Sequence, residues 1–320
     1  MFSTSGAVLR SDINALVSEA AKAEDFYIGA KVFPPLAVPE RNGQYPKFKK
    51  ANGELLNNDA ELRAPNASYA RIIRKYDSDS FVTQEYGLEE VVGDAEASDV
   101  NRFFDAEVAA ANFVRRQLML AHEIRVAAAV LNNTNFGTTG AATAYTTANK
   151  ATADFAYDVL TAIDLLNSRG ETPNTIVMSG PVFTRIKGQT LFQNFVRGNR
   201  PSDITANLSQ GAVTEAFADA GISQVLVGRA AYNSAKKGLA FASAGAWSNT
   251  YVWIGRVEAG DMMTGGAGRT LYWNADSELF TSETYREESR RSTVVRVRQH
   301  TAEKIVDSES GTMITTGWTA

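Results

Sequence analysis

The chain contains no cysteine, and this absence removes several kinds of chemistry. Disulfides, thiolate zinc sites and cysteine nucleophiles are excluded, and a cysteine-free composition is typical of a protein made in a reducing cytoplasm. Histidine is also scarce, since His122 and His300 are the only two. A zinc site would therefore need carboxylate ligands, and these show no recognisable spacing. We expect no metal site and no cofactor, and we place the two histidines on a helix surface and at a strand end.

Long apolar runs and a basic charge excess are missing as well. No stretch approaches the ~18 consecutive apolar residues of a membrane span. Residues 1–10 lack the pattern of a signal peptide, so we expect a cytoplasmic product without membrane association. The formal net charge is −4. This balance gives no electrostatic footprint for binding nucleic acid from outside.

Catalytic motifs are few, and each lacks its structural context. The glycine-rich residues 264–270 have neither the spacing nor the lysine of a phosphate-binding loop, so they predict a turn before a strand. Tyr232 and Lys236 match the Tyr-x-x-x-Lys pair of short-chain dehydrogenases, and Ser234 and Lys237 match a Ser-x-x-Lys pair. No dinucleotide fingerprint precedes the first pair, and the second lacks its companion motifs. We therefore expect no catalytic residues; a dehydrogenase of this type is a distant alternative.

The N-terminal part of the chain is predicted to be extended. Residues 13–23 have helical apolar spacing, and the paired Pro34 and Pro35 then favour extended chain. We read residues 1–40 as an arm that packs either on its own domain or on a neighbouring subunit. Strand-like segments at 44–48 and 68–76 flank a polar, charged stretch. They predict a long two-stranded loop, which would be marginal alone in water; it lies on its own domain or, as we favour, reaches another subunit.

The strongest helical signal follows. Ser98 is a good N-cap residue, Asp99 lies in the first turn, and neither glycine nor proline occurs before Asn132. The pattern predicts one helix over residues 98–132, roughly 50 Å long. Its alanine-rich stripe drifts around the axis, so we expect a rod with sheets laid against it. Residues 134–153 are predicted to be a flexible connector.

The remaining chain predicts a compact α/β region followed by strands. Buried strands are expected at 175–179, 224–227 and 250–254, with helices at 154–168, after Gly180-Pro181, and at 212–220. From about residue 270 only strands are expected: 278–285 and 292–299, joined by the charged turn 286–291, and 304–306 and 312–316 as a hairpin. The alternation of Val295 and Val297 with two arginines predicts a half-buried strand.

The order of these segments resembles the major capsid proteins of tailed double-stranded-DNA bacteriophages, whose fold encapsulins share. Residues 27–48 resemble the family's passage from arm into extended loop, residues 173–183 its strand-to-helix junction, and residues 283–316 its last strands. The resemblance implies an α+β capsid fold. It assigns residues 1–40 to an N-terminal arm, 41–80 to an extended β-hairpin loop, and 81–153 to a peripheral domain with a spine helix. Residues 154–260 would form an α/β axial domain, and 261–320 the C-terminal strands of the β-rich peripheral domain.

The same resemblance implies a structural subunit that self-assembles into hexamers, pentamers and an icosahedral virion shell around double-stranded DNA. A portal and a separate scaffolding protein would be partners, a decoration protein would be a further candidate partner, and assembly would take place in the host cytoplasm. An encapsulin-like cellular compartment is the main alternative. Charged residues of the loops are candidates for setting the register between subunits: Lys47, Lys49, Lys50, Arg63, Arg71, Arg74, Glu287, Glu288, Arg290 and Arg291.

Overall fold

The computed structural model describes residues 8–9, 26–48, 56, 58, 60, 62–63, 65, 68–69, 71, 76–100, 105–198, 208–276 and 278–318. The predicted arm helix at 13–23 lies outside these residues. The described helices are α1 (Gly29–Val32), α2 (Asp94–Val100), α3 (Ala106–Val130), α4 (Phe155–Ser168), α5 (Gly180–Lys187), α6 (Thr190–Arg197) and α7 (Gln210–Ala216). The described strands are β1 (Val8–Leu9), β2 (Pro35–Val38), β3 (Asn42–Phe48), β4 (Tyr76–Val82), β5 (Gln84–Gly93), β6 (Gly137–Gly140), β7 (Thr175–Ser179), β8 (Gln224–Gly228), β9 (Ala231–Asn233), β10 (Ser243–Gly245), β11 (Tyr251–Gly255), β12 (Gly268–Trp273), β13 (Thr281–Glu287), β14 (Ser292–Ile305) and β15 (Gly311–Thr315).

The larger sheet is organised around the long strand β14. Strands β13 and β12 pair along one edge of β14, and β5 pairs along the other, all antiparallel. Strands β1 and β2 extend the sheet beyond β13 and β12. Val295 and Val297 are fully buried, whereas Arg296 and Arg298 are half-buried. The predicted half-buried strand is therefore confirmed.

The smaller sheet has the strand order β6-β15-β11-β7-β8. It corrects one prediction, because residues 312–316 do not form a hairpin with 304–306. Strand β15 instead pairs with β11 and with β6, and β6 falls in the segment predicted to be a connector. The residues from Gly311 to Ile314 are all buried. Such a strand is stabilised inside a sheet with both faces covered, whereas a terminal hairpin would expose one face.

Trp253 forms the centre of this sheet, and two glycines make room for it. Gly255 and Gly311 lie opposite each other on β11 and β15. A Cβ atom on Gly255 would come within 2.4 Å of the Trp253 ring, and one on Gly311 within 2.8 Å. The indole is completely buried against Phe136 and Met313. Side chains at these two glycines would therefore displace a completely buried tryptophan of the core.

Helix α3 joins the two sheets. Its N-terminal half packs Ala110, Val114 and Leu118 against Val295 and Val297 of the larger sheet. Its C-terminal half packs Val126 and Val130 in one cluster with Trp253 and Met313 of the smaller sheet. The expected rod with sheets laid against it is confirmed by these contacts.

The predicted bounds of that helix are wrong at the N-terminal end. Helix α2 runs through Ser98 and ends at Val100, and α3 begins at Ala106. Asp105 has extended backbone angles, and its carboxylate accepts hydrogen bonds from the amides of Glu107 (2.9 Å) and Val108 (3.2 Å). An aspartate cap can start a helix without any preceding glycine or proline. Helix α3 is therefore about 38 Å long, not 50 Å.

The two-stranded excursion is confirmed, with a later return strand than predicted. Strand β3 pairs with β4 from Asn42 opposite Val82 to Phe48 opposite Tyr76. The predicted return strand at 68–76 overlaps β4 only at Tyr76, and the described residues 68–69 and 71 are not in a strand. An antiparallel partner must match β3 residue for residue, and this register places the return strand at Tyr76–Val82.

The local predictions in the α/β region are confirmed. Asp154 caps α4, and α5 begins at Gly180 with Pro181 in its first turn. Strands β7, β8 and β11 match the three predicted buried strands. The helix predicted at 212–220 is α7 followed by a 3-10 turn, Ala218–Ala220.

Candidate inter-subunit surfaces

The charged turn 286–291 is held to its own chain by Arg286. The Arg286 guanidinium binds both carboxylate oxygens of Asp94, at 2.5 and 2.7 Å. This hydrogen bonding lowers the pKa of Asp94 and raises the pKa of Arg286. The carbonyl of Arg291 also accepts a hydrogen bond from the Asp94 amide at 3.1 Å. The base of the turn is therefore fixed at the start of α2.

The four predicted contact residues of this turn lie on its exposed side. Glu287 pairs with Arg290 at 3.4 Å, and Glu288 pairs with Arg286 at 3.4 Å. The side chain of Glu288 is 81% exposed and that of Arg290 is 67% exposed. Arg291 is exposed too and adopts a left-handed φ of 46°. A fixed turn thus presents opposite charges to solvent, and their role between subunits stays a prediction.

The structure brings few of the predicted loop residues together. Arg63 lies over the Tyr69 ring at 4.5 Å and donates a hydrogen bond to its hydroxyl at 3.1 Å. Arg71 is exposed. The backbone of Lys47 pairs with Asp77 in the hairpin of β3 and β4. The remaining predicted loop residues, Lys49, Lys50 and Arg74, lie outside the described residues.

The outer face of the larger sheet carries ion pairs that sequence reasoning missed. Arg296 lies directly between Glu89 on β5 and Glu283 on β13. Its guanidinium is 2.6 Å from Glu89 and 3.7 Å from Glu283. Burial lowers the pKa of Arg296, but its carboxylate partners outweigh that effect and raise the pKa overall. Arg298 continues the row by binding Glu283 at 3.0 Å.

The glycine-rich segment 264–270 encloses an arginine of its own chain. The buried guanidinium of Arg269 donates hydrogen bonds to the carbonyls of Gly260 (3.3 Å), Gly265 (2.8 Å) and Gly268 (2.9 Å). Burial lowers the pKa of Arg269. These glycines therefore let the backbone wrap closely around a cation of the chain itself, which supplies a structural reason for the segment's composition.

Both histidines are buried, so the predicted helix-surface position of His122 is wrong, and His300 lies within β14 rather than at a strand end. His122 on α3 lies 3.1 Å from the Thr270 hydroxyl, and burial, with Arg125 nearby, lowers its pKa to about 3. His300 on β14 lies 3.4 Å from Asp276 and 3.5 Å from Glu85. Helix α3 and β14 are both covered by other elements, so side chains on their inner faces lose solvent. Within the described ranges, no group of three His, Cys, Asp or Glu residues is arranged to hold a metal ion.

The motif residues around position 234 lie on an exposed hairpin formed by β9 and β10. Tyr232 lies on β9, and Ser234, Lys236 and Lys237 belong to the connecting loop. Among the residues that the structure describes, no helix is both long and apolar enough to cross a membrane.

Comparison with solved structures identifies the fold. A phage-related protein from Bordetella bronchiseptica RB50 is 20% identical to the chain, with 97% of each chain covered and a TM-score of 0.69. A protein assigned as a prophage capsid protein of Escherichia coli CFT073 is 12% identical, with 97% of this chain and 99% of that chain covered and a TM-score of 0.54. A virus-like particle from Pyrococcus furiosus is 11% identical, with 94% and 96% covered and a TM-score of 0.54.

The similarity spans nearly the whole chain in each case, so the expected α+β capsid fold is confirmed. No protein-family model matches the sequence, and no curated protein matches it.

Proposed function

We propose that this chain is the major capsid protein of a tailed double-stranded-DNA bacteriophage, a subunit that self-assembles into the icosahedral shell around the genome. The observation that carries the proposal is the match over 97% of this chain to a phage-related protein and to a protein assigned as a prophage capsid protein. Function here is structural, and the chain acts through its surfaces rather than through a catalytic site.

The exposed features of the chain support an assembly role. A fixed turn presents Glu287, Glu288, Arg290 and Arg291, and a separate hairpin exposes apolar side chains. Individually weak contacts of this kind allow errors to be corrected, and many together hold a shell through multivalency. Opposite charges fix register and reject wrong partners more than they add affinity.

The proposal also assigns a structural role to each segment of the chain. Residues 1–40 act as an arm, 41–80 as an extended loop, 81–153 and 261–320 as the peripheral domain, and 154–260 as the axial domain. Strands β6 (Gly137–Gly140) and β15 (Gly311–Thr315) lie outside residues 154–260. They nevertheless belong to the same five-stranded sheet as the strands of the proposed axial domain. A scaffolding protein, a portal and a decoration protein are the proposed partners, and assembly takes place in the host cytoplasm before the chain becomes part of the virion.

Electron microscopy of the purified chain, with and without a candidate scaffolding protein, tests this function. We expect closed icosahedral shells or rings of five and six subunits. A monomer or small dimer under every condition would contradict the proposal.

The main alternative, an encapsulin-like compartment, differs from a phage capsid in what the shell contains. A phage capsid encloses DNA and includes a portal, whereas a compartment encloses a cargo protein. Particles isolated from the native source should contain nuclease-protected DNA. Particles that hold a cargo enzyme and no DNA would instead favour the compartment.

A further inference from the structure

The hairpin of β9 and β10 ends in an apolar tip. Residues 234–242 connect its strands, and Leu239 and Phe241 in this loop are 68% and 75% exposed. Lys236 and Lys237 in the same loop are also exposed, and among the described residues neither belongs to an ion pair. Two large apolar side chains beside two lysines form a surface that the described part of the chain leaves open to solvent.

Local hydrogen bonds order this tip. The side-chain oxygen of Asn233 accepts hydrogen bonds from the amides of Ala235 (3.1 Å) and Ala242 (3.0 Å). The Ser234 amide donates to the Ala242 carbonyl at 2.8 Å, which closes the base of the loop. Such an arrangement fixes the backbone at the base of the loop before any contact forms, and this reduces the entropy lost on binding.

The base of the hairpin is anchored in the core. Trp247 is 2% exposed and its ring lies so close to Gly228 that a Cβ atom there would be 2.1 Å away. The indole nitrogen donates a 2.5 Å hydrogen bond to the buried carboxylate of Glu123 on α3. The chain that follows the hairpin is therefore fixed in the core, and the tip is connected to this fixed base.

Helix α4 carries a surface of matching character. Tyr157 is 63% exposed and Leu160 is 36% exposed. Thr161 and Asp164 are exposed as well, and these four positions share one helix face by their spacing. The apolar pair matches Leu239 and Phe241, and the Asp164 carboxylate matches the two lysines.

Helix α6 is the competing acceptor, but its charges do not match. Leu191 and Phe195 on α6 are each 39% exposed. Lys187 precedes this helix and Arg197 ends it. These cations would repel the lysines of the hairpin tip, so charge complementarity favours α4.

The tip and its acceptor lie in different parts of the smaller sheet. The hairpin follows β8, which is an edge strand, whereas α4 packs against β15 and β11. A contact between such different patches on two copies is heterologous, and it leaves a free tip on one copy and a free acceptor on the other. Repetition of the contact through a closing rotation produces a ring.

We propose that the 234–242 tip of one subunit docks on the Tyr157, Leu160 and Asp164 face of helix α4 in the next copy of this chain. The inference deepens the proposed shell function and rests on it. The contact is small compared with the ~1,600 Å² of a standard interface. It therefore acts together with the other contacts of each subunit to define the ring.

Disulfide trapping tests this contact cleanly because the natural chain has no cysteine. The F241C/L160C variant is assembled under reducing conditions, oxidised, and separated on a denaturing gel without reductant. We expect a ladder of crosslinked dimers, trimers and higher species that ends at the ring size. F241C alone, L160C alone and the F241C/L191C pair are matched controls, and we expect no ladder from them.

Each other result overturns the proposal in a recognisable way. Shells or rings that form without a ladder would reject the contact and leave the shell function standing. A crosslinked monomer would place both residues within one subunit, dimers from F241C alone would mean a symmetric contact, and a ladder from F241C/L191C would move the acceptor to α6. A wild-type chain that forms no assembly would reject the contact together with the shell function.

Discussion

The two sheets of this molecule are stabilised in different ways. In the smaller sheet, all five residues of β7 are buried, and so are the last four of β8 and of β11. In the larger sheet, buried valines of β14 alternate with arginines, and the opposite face carries the row from Glu89 through Arg296 to Glu283.

This difference indicates that the smaller sheet mainly provides stability and that the larger sheet provides surfaces for recognition. Burial of apolar surface gives most of the free energy of folding, whereas exposed ion pairs contribute little. The smaller sheet should therefore dominate the stability of the subunit. Substitutions in the charged face and the charged turn of the larger sheet, or contacts of these surfaces with a partner, should have little effect on the free energy of folding.

The largest expected effect follows removal of the central indole of the smaller sheet. Trp253 is completely buried, and W253A should lower the free energy of unfolding by about 3–5 kcal/mol. The control V295A removes a fully buried but smaller side chain of the larger sheet, so its loss should be smaller. Urea titration followed by circular dichroism measures both. V177A removes a valine of the smaller sheet that is as fully buried as Val295, and its loss should exceed that of V295A. Equal losses from these two valine variants would break the contrast between the sheets.

Acid should destabilise the subunit through His122, which packs between α3 and the larger sheet. Burial lowers the pKa of His122 from 6.5 to about 3, so the neutral form is favoured in the folded state. The stability that depends on the neutral form is present above the unfolded value and is lost as pH falls towards 3. At about pH 4.5 the loss should reach about 2–3 kcal/mol.

The variant H122Q isolates this effect, because glutamine cannot gain a proton in this range. Urea midpoints measured from pH 7.5 to 4.5 should fall more steeply for the natural protein than for H122Q. Parallel curves would mean that His122 does not titrate between the folded and unfolded states as described.

A smaller effect is expected on the charged face. Arg296 is about one-third exposed and pairs with Glu89, so R296A should cost about 0.5–1 kcal/mol. A double-mutant cycle with E89A measures the coupling between the two side chains, which should shrink in 1 M salt because exposed pairs are screened. Coupling well above this range, or unaffected by salt, would show that this face contributes stability as the dry core does.

The smallest effect on folding is expected in the charged turn, together with a large effect on assembly. Arg290 and Arg291 are exposed, whereas Arg286 holds the turn to Asp94. R290E/R291E should leave the unfolding free energy within about 0.5 kcal/mol of the natural value. The same variant should form few shells, while the control R290K/R291K keeps the charge and assembles. Normal shells from R290E/R291E would remove this turn from the inter-subunit contacts.

Local signals allowed much of the fold to be predicted from the sequence. The buried run at 175–179 and the proline after Gly180 mark a strand and a helix start through neighbouring residues alone. The pairing of strands that are distant in the sequence has no such local signal. Nothing near residues 312–316 indicates that β15 pairs with β11 and with β6, which lies more than 170 residues earlier in the chain, so a local hairpin was the natural but wrong choice.

The candidate surfaces were predictable only in part, for the same reason. The charged turn was visible as a run of charges between two strands, and its exposed residues were found. Asp94, which binds Arg286, lies at the start of α2, and Glu89, which binds Arg296, lies on β5. Both carboxylates are about 200 residues away from their arginines, and only the fold brings these pairs together. The cap at Asp105 was missed because the sequence around it contains no helix breaker.

The central claim is that this chain closes into a shell, and sedimentation velocity of the purified protein tests it most directly. One subunit has a mass of 34.6 kDa. The account predicts fast-sedimenting particles of many subunits, alone or after addition of a scaffolding protein, with rings as the only smaller species. A single boundary at the mass of one subunit under all conditions would contradict it.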